Sequence, residues 1–215
     1  MRNYLIFDLD GTLIDSNPTC ISILQDMLNA RGVPGTITPQ QAAPHMSRGG
    51  AQMVAALLGP ACGDPQEDIK EFRQRYALRD TPMESLFAGV TQGLKRLRDA
   101  GYGLAVCSNK PDNLCRKVLT DTALVDLFEL VVGARPGLRP KPAPDLLNAV
   151  LDALGVPAHR CRFIGDSEID HRVASDAGMP FYFMTYGYAA AGWRPDCTGT
   201  FDDFDQLVEA LLSAR

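Results

Sequence analysis

Short apolar runs alternate with helix-period stretches along most of the chain. Tyr4–Phe7, Leu104–Cys107, Leu130–Val132, Arg162–Ile164 and Phe181–Met184 have the length and composition of buried strands. Between them, Leu94 and Leu97 form a helical face that precedes Gly101, and Leu114, Val118 and Leu119 form another. Leu146, Leu147, Val150, Leu151 and Leu154 trace a third face, which stops at Gly155. Strand alternating with helix predicts an α/β fold, a Rossmann-like parallel sheet core with helices on both faces. One stretch breaks the rhythm. Residues 17–81 carry helix-like segments (Cys20–Ala30, Ala51–Leu58, Gln66–Leu78) and no convincing strand. This predicts a core built from 1–16 and 82–215, with a small helical domain inserted at 17–81. An extra helical layer of a single domain is the other arrangement the pattern allows.

Composition narrows the classes. The chain has 215 residues, 46% of them hydrophobic and 22% charged, enough apolar material for a core without disulfide staples. The net charge of -5 offers no basic footprint for nucleic acid or an anionic membrane. Binding an anion therefore requires positive charge concentrated locally, through a metal or a few lysines. None of the six cysteines forms a C-x-x-C pair or stands at zinc-ligand spacing with the histidines, which suits reduced thiols. The N-terminus meets acidic residues too early for a secretory leader, and no apolar run reaches membrane-spanning length. A cytoplasmic protein is expected, as a monomer or homodimer.

In open parallel sheets, ligands sit beyond the carboxyl ends of the strands. Asp8-Leu9-Asp10-Gly11-Thr12 follows the first run, Ser108-Asn109-Lys110 the second, and Gly165-Asp166-Ser167-Glu168-Ile169-Asp170 the fourth. Lys141 follows the third after the loop 135–140, for which the sequence gives no role. Alternation in an extended segment puts Asp8 and Asp10 on one side, and Gly11 permits a tight turn against a ligand. Taken alone, Asp166 would suit a helix N-cap and Asp170 a solvated first-turn position. Ser108 would likewise suit a cap, and Lys141 a solvated charge. Together they read differently. Carboxylates clustered at ~5 Å repel by roughly 3 kcal/mol per pair at an effective dielectric near 20. A hard divalent cation relieves that, and Mg²⁺ fits, because it accepts carboxylate and phosphate oxygens while keeping several waters. Ser108 then offers a hydroxyl donor beside backbone N–H groups. Lys141 neutralises the aspartates and holds a phosphate oxygen.

The four stations FDLDGTLIDS, CSNK, the lysine of RPKPAPD, and IGDSEID resemble, in that order, the motifs of the haloacid dehalogenase-like hydrolase superfamily. The likeness spans residues 4 to about 187, and the helical insertion resembles that superfamily's small cap domain. SNKP, with GDSEID and AGMPFYFMTYGY, is similar to its phosphoglycolate phosphatase branch. The resemblance implies that Asp8 is a nucleophile forming an aspartyl-phosphate. It implies that Asp10 protonates the leaving alkoxide and then activates water. Ser108 and Lys141 would bind the transferring phosphoryl oxygens, with Asn109 beside them. Mg²⁺ would be held by Asp8, the backbone carbonyl of Asp10, and Asp166, with Asp170 orienting that shell. In the cap, Arg48 would grip a substrate carboxylate or stand in solvent.

The implied activity is Mg²⁺-dependent hydrolysis of small phosphate esters such as 2-phosphoglycolate. Sugar-phosphate phosphatase, phosphomutase and pyrophosphatase activities share the scaffold. Asp10 argues against a dehalogenase, which needs neither that second aspartate nor a metal. Lys70, the insertion's one clear lysine, lies in a polar helical segment, which disfavours a Schiff-base phosphonate-cleaving enzyme. A non-catalytic phospho-receiver module is shorter and carries its phosphorylated aspartate on a later strand.

Overall fold

The computed structural model describes residues 2–46 and 50–214. The chain forms two compact units: the chain through Asp15 joined by the chain from Pro82 onward, and Ser16–Thr81. Strand β1 (Tyr4–Phe7) opens the first unit. The second unit follows as helices α1 (Asn17–Ala30), α2 (Pro39–Met46), α3 (Gly50–Leu58) and α4 (Pro65–Leu78). The first unit resumes with α5 (Val90–Asp99), β2 (Gly103–Pro111), α6 (Asp112–Asp121), β3 (Leu130–Ala134) and α7 (Asp145–Leu154). It closes with β4 (Cys161–Gly165), α8 (Glu168–Asp176), β5 (Phe181–Met184), β6 (Gly199–Phe201) and α9 (Phe204–Ser213).

All six strands pair in parallel, in the order β3-β2-β1-β4-β5-β6. The order reverses at β1, whose neighbours are β2 and β4, so the carboxyl ends of those three strands flank the topological switch point. Side chains alternate across the sheet. Ile6, Ala105, Cys107 and Phe163 pack with Leu146, Leu147 and Val150 of α7 and with Val173 and Ala174 of α8. On the opposite face Phe7 stacks on Phe204 of α9, with ring centroids 6.1 Å apart. Helix α5, buried through Leu94 and Leu97, pairs with α9. Helices cover both faces, as the strand-helix alternation requires. Strand β6 adds to the strands that the hydrophobic pattern predicts; it is a three-residue edge strand with half-exposed ends, too short to show a pattern.

Among its described residues the second unit contains helices joined by loops and no strand. Its core gathers Ile23, Leu24 and Met27 of α1, Met53 and Val54 of α3, and Ile69, Phe72 and Tyr76 of α4. Helix α2 likewise lies outside what that pattern predicts, because it buries only Ala42 and shows no apolar stripe. Arg48 lies outside the described residues. Among the described residues, no helix is long and apolar enough to cross a membrane.

Candidate active site

The turn after β1 is tight because it runs against Asp166. The Asp8 N–H still donates to Ile164 O at 2.9 Å, which pins the backbone to β4. Leu9 turns into the core with no exposure, whereas the Asp8 and Asp10 side chains keep 13% and 26%. At Gly11 the chain adopts a φ of 84°, and a Cβ there would fall 2.3 Å from Asp166 Oδ2. A Cβ at Gly187 would meet the same carboxylate at 2.3 Å, so two glycines cradle Asp166. Its Oδ1 accepts the Thr12 hydroxyl at 2.8 Å, and its Oδ2 accepts the Tyr188 N–H at 2.7 Å. Ser167, rather than Asp166, caps α8.

Lys141 is the cation at the centre. Its ammonium donates to Cys107 O at 2.8 Å and to Asp170 Oδ1 at 2.7 Å. It also lies 2.9 Å from Asp8 Oδ1, in a charge contact too poorly aligned to satisfy that oxygen with a hydrogen bond. Asp170 is buried rather than solvated. Its Oδ2 accepts the Ser167 hydroxyl at 2.7 Å and the Asp166 N–H at 3.3 Å. With both oxygens engaged, Asp170 is held by the protein and itself holds the lysine.

Burial works against every charge in this cluster. Burial pushes the Asp8 carboxyl up to about 6, with Lys141 opposing and Asp170 and Asp10 adding to the rise. Burial, then Asp170 and Asp8, hold Asp166 well above the usual carboxylate range, despite its two donors. Burial also disfavours the Lys141 ammonium. Asp170 and Asp8 outweigh that, so it stays charged well above the ordinary lysine range.

A metal fits this donor set. Oxygens of Asp8, Asp166 and Asp170 lie within 4.8 Å of one another. Asp170 is ion-paired with Lys141, whereas Asp8 keeps an unsatisfied oxygen and Asp166 meets only neutral donors, so those two suit side-chain ligands best. Hard oxygen donors of this kind select Mg²⁺ or a similar cation.

Ser108 is buried near the end of β2 and accepts the Lys110 N–H at 3.3 Å. Among the described residues its hydroxyl donates to none, so its proton remains available for an anion. Asn109 spends its side chain on Lys141. Its Nδ2 donates to Lys141 O at 2.9 Å, and its Oδ1 accepts the Lys141 N–H at 2.7 Å. This two-way clasp fixes the lysine's backbone and leaves Asn109 only its own backbone N–H for a phosphate. Lys110, Thr12 and Tyr188 were not singled out from sequence. Lys110 had a signal, since it stands in the same strand-end string as Ser108. Tyr188 closes the AGMPFYFMTYGY segment, but it meets Asp166 through its backbone N–H, which its residue type does not announce.

The model of the haloacid dehalogenase-like hydrolase family matches residues 5–184. The phosphoglycolate phosphatase of Rhodobacter capsulatus is 36% identical over 193 residues, covering 87% of this chain and 86% of its own length. The plasmid-borne phosphoglycolate phosphatase of Cupriavidus necator is 34% identical, covering 96% of this chain and 89% of its own. Among solved structures, a predicted phosphoglycolate phosphatase from Haemophilus somnus 129pt superposes with a TM-score of 0.82 over 98% of both chains. At 24% identity, that likeness bears on the fold alone. Four ordered motifs, their convergence at one sheet edge, and a match across most of the length lead to one conclusion: the chain belongs to the haloacid dehalogenase-like hydrolases.

Proposed function

We propose that this chain is a Mg²⁺-dependent phosphatase of 2-phosphoglycolate and similar short phosphomonoesters, acting through an aspartyl-phosphate on Asp8. Its broad class, a phosphoric monoester hydrolase acting on small phosphorylated metabolites, follows from its family and relatives. The observation that carries the finer reading is the Lys141 ammonium, wedged between Asp8 and Asp170 beside the Asp166 cradle.

In this reading an Asp8 oxygen attacks phosphorus, a P–O(carboxyl) bond forms, and the P–O(ester) bond breaks. Asp10, at the rim of the site, gives its proton to the departing alkoxide. It then takes a proton from the water that attacks the aspartyl-phosphate, which releases inorganic phosphate and restores Asp8. Ser108 and Lys141 hold the phosphoryl oxygens, since phosphoryl transfer depends mainly on positioning and charge neutralisation. When bound by Asp8, Asp166 and the Asp10 carbonyl, Mg²⁺ would supply further neutralisation of those oxygens. Residues 17–81 serve as the cap that selects the substrate, and Arg48 within it is a further contact for a substrate carboxylate.

The test is phosphate release from a panel containing 2-phosphoglycolate, sugar phosphates and pyrophosphate, with Mg²⁺ and with EDTA. The reading expects 2-phosphoglycolate to give the highest kcat/KM and EDTA to abolish turnover. Preference for a sugar phosphate or pyrophosphate would overturn the substrate assignment. Full activity in EDTA would overturn the metal's role.

A further inference from the structure

The mechanism above makes no use of Lys110, although its ammonium is the second cation of the site. Nζ lies 2.9 and 3.1 Å from the two carboxylate oxygens of Asp10, and its side chain is only 8% exposed. Its backbone is fixed on several sides. The N–H donates to Ser108 Oγ at 3.3 Å, and the carbonyl accepts the Cys115 thiol at 3.3 Å. A Cβ on Gly133 would fall 2.6 Å from the Lys110 carbonyl oxygen, so β3 approaches as closely as a bare glycine allows. The β2–β3 register slips between Cys107 and Pro111, and this irregularity presents Ser108, Asn109 and Lys110 at the sheet edge.

The ammonium therefore stands on the leaving-group side of the site. To receive a proton, the departing oxygen must come within about 3 Å of an Asp10 oxygen. Lys110 is in direct contact with those same oxygens. In a 2-phospho carboxylate a single methylene separates the ester oxygen from the carboxylate carbon. An anion so placed reaches a cation that flanks the proton donor, whereas a neutral leaving group has nothing to offer it. A desolvated, pre-positioned ammonium makes such a contact strong.

Resting on the phosphatase reading, we propose that Lys110 is a specificity-determining residue that reads an anionic group one carbon from the ester oxygen of the leaving group. It selects short phospho-carboxylates over phosphate esters of neutral alcohols.

The experiment compares 2-phosphoglycolate with 2-hydroxyethyl phosphate, which has similar size and a neutral leaving group. For the wild-type protein with Mg²⁺, kcat/KM should favour 2-phosphoglycolate by about 10²-fold. A ratio near one overturns the proposal without any variant. Lys110→Met should lower kcat/KM for 2-phosphoglycolate at least about tenfold more than for 2-hydroxyethyl phosphate, with the excess loss mostly in KM. Lys110→Arg should recover a good part of the lost discrimination. Equal losses on both esters would show that Lys110 only orients Asp10, and would overturn the specificity role. Failure of the wild-type protein to hydrolyse either ester would instead bring down the underlying phosphatase reading, and the two failures are distinct.

Discussion

Each unit contains a cation set between two carboxylates, and the two clusters are held in opposite ways. In the helical unit, Arg31 bonds both oxygens of Asp68 at 2.7 and 3.2 Å, Glu71 at 2.8 Å, and the Ala61 carbonyl at 2.7 Å. Asp68 also accepts the Gly63 N–H at 2.8 Å. Hydrogen bonding by Arg31 outweighs burial there and lowers Asp68 to about 2. At the sheet edge, Lys141 sits between Asp8 and Asp170, yet burial prevails and Asp8 rises to about 6. The first cluster stabilises the charges it contains. The second holds Asp8 and Asp166 in forms the fold disfavours. Asp8, a buried carboxylate short of donors, suits the proposed role of nucleophile and metal ligand.

The largest effect that would break this contrast comes from Asp8→Asn. Phosphate release should fall by about 10⁴-fold or more, because the nucleophile is gone. Asp8 binds its proton more tightly in the folded protein than in the unfolded chain, so its ionisation removes stability as pH rises from about 4 through 6. In EDTA near pH 7.5 the same variant should thus be more stable than wild type, by on the order of 1–3 kcal/mol. Urea melts check this, and a destabilised variant would show that Asp8 is a structural residue.

Next comes Asn109→Ala. Freed from its clasp, the Lys141 backbone should drift, and kcat/KM should fall by about 10²-fold. Mg²⁺ affinity, followed by titration calorimetry, should change little, since Asn109 touches no proposed ligand. Thr12→Val removes one of the two donors that orient Asp166. It should weaken Mg²⁺ binding by about tenfold and leave kcat at saturating Mg²⁺ largely intact.

The smallest effect on turnover belongs to Arg31→Met. This change should destabilise the protein by about 1–3 kcal/mol, because it strands Asp68, while kcat at low temperature stays near wild type. Asp68 has a folded-state pKa below its ordinary value. Its stabilisation is present above about pH 4 and is lost as pH falls through about 2. Acid titration of wild type should show that loss, and the variant should lack it.

The residues that made the fold legible are those that obey a period. Buried strands such as Tyr4–Phe7 and Phe181–Met184 stand out because both faces are covered. Helix α2 was invisible to that test, although Thr38 and Gln41 form a reciprocal capping box: Gln41 N–H donates to Thr38 Oγ1 at 3.3 Å and Thr38 N–H to Gln41 Oε1 at 2.9 Å. A T-x-x-Q pair signals a helix start without a periodic stripe, so hydrophobic periodicity alone does not reveal this helix. At the site, residue types at strand ends pointed to Asp8, Asp166, Ser108 and Lys141. What sequence could not convey is which partner each side chain takes. Asn109, expected beside the phosphate, spends its side chain on the Lys141 backbone and keeps its own N–H for that contact. Lys110 looked like an appendage to CSNK and lies against Asp10. Such pairings depend on how β2 meets β1 and β3, including the register slip before Pro111.

The most direct test of Asp8 as nucleophile is chemical trapping. The protein is mixed with 2-phosphoglycolate and Mg²⁺, quenched in acid within one turnover, and reduced with borohydride. Peptide mass spectrometry then locates any homoserine formed from an aspartyl-phosphate. Homoserine at position 8, dependent on substrate, is the expected result. Its absence during active turnover, or its appearance at Asp10 or Asp166 instead, would contradict the account.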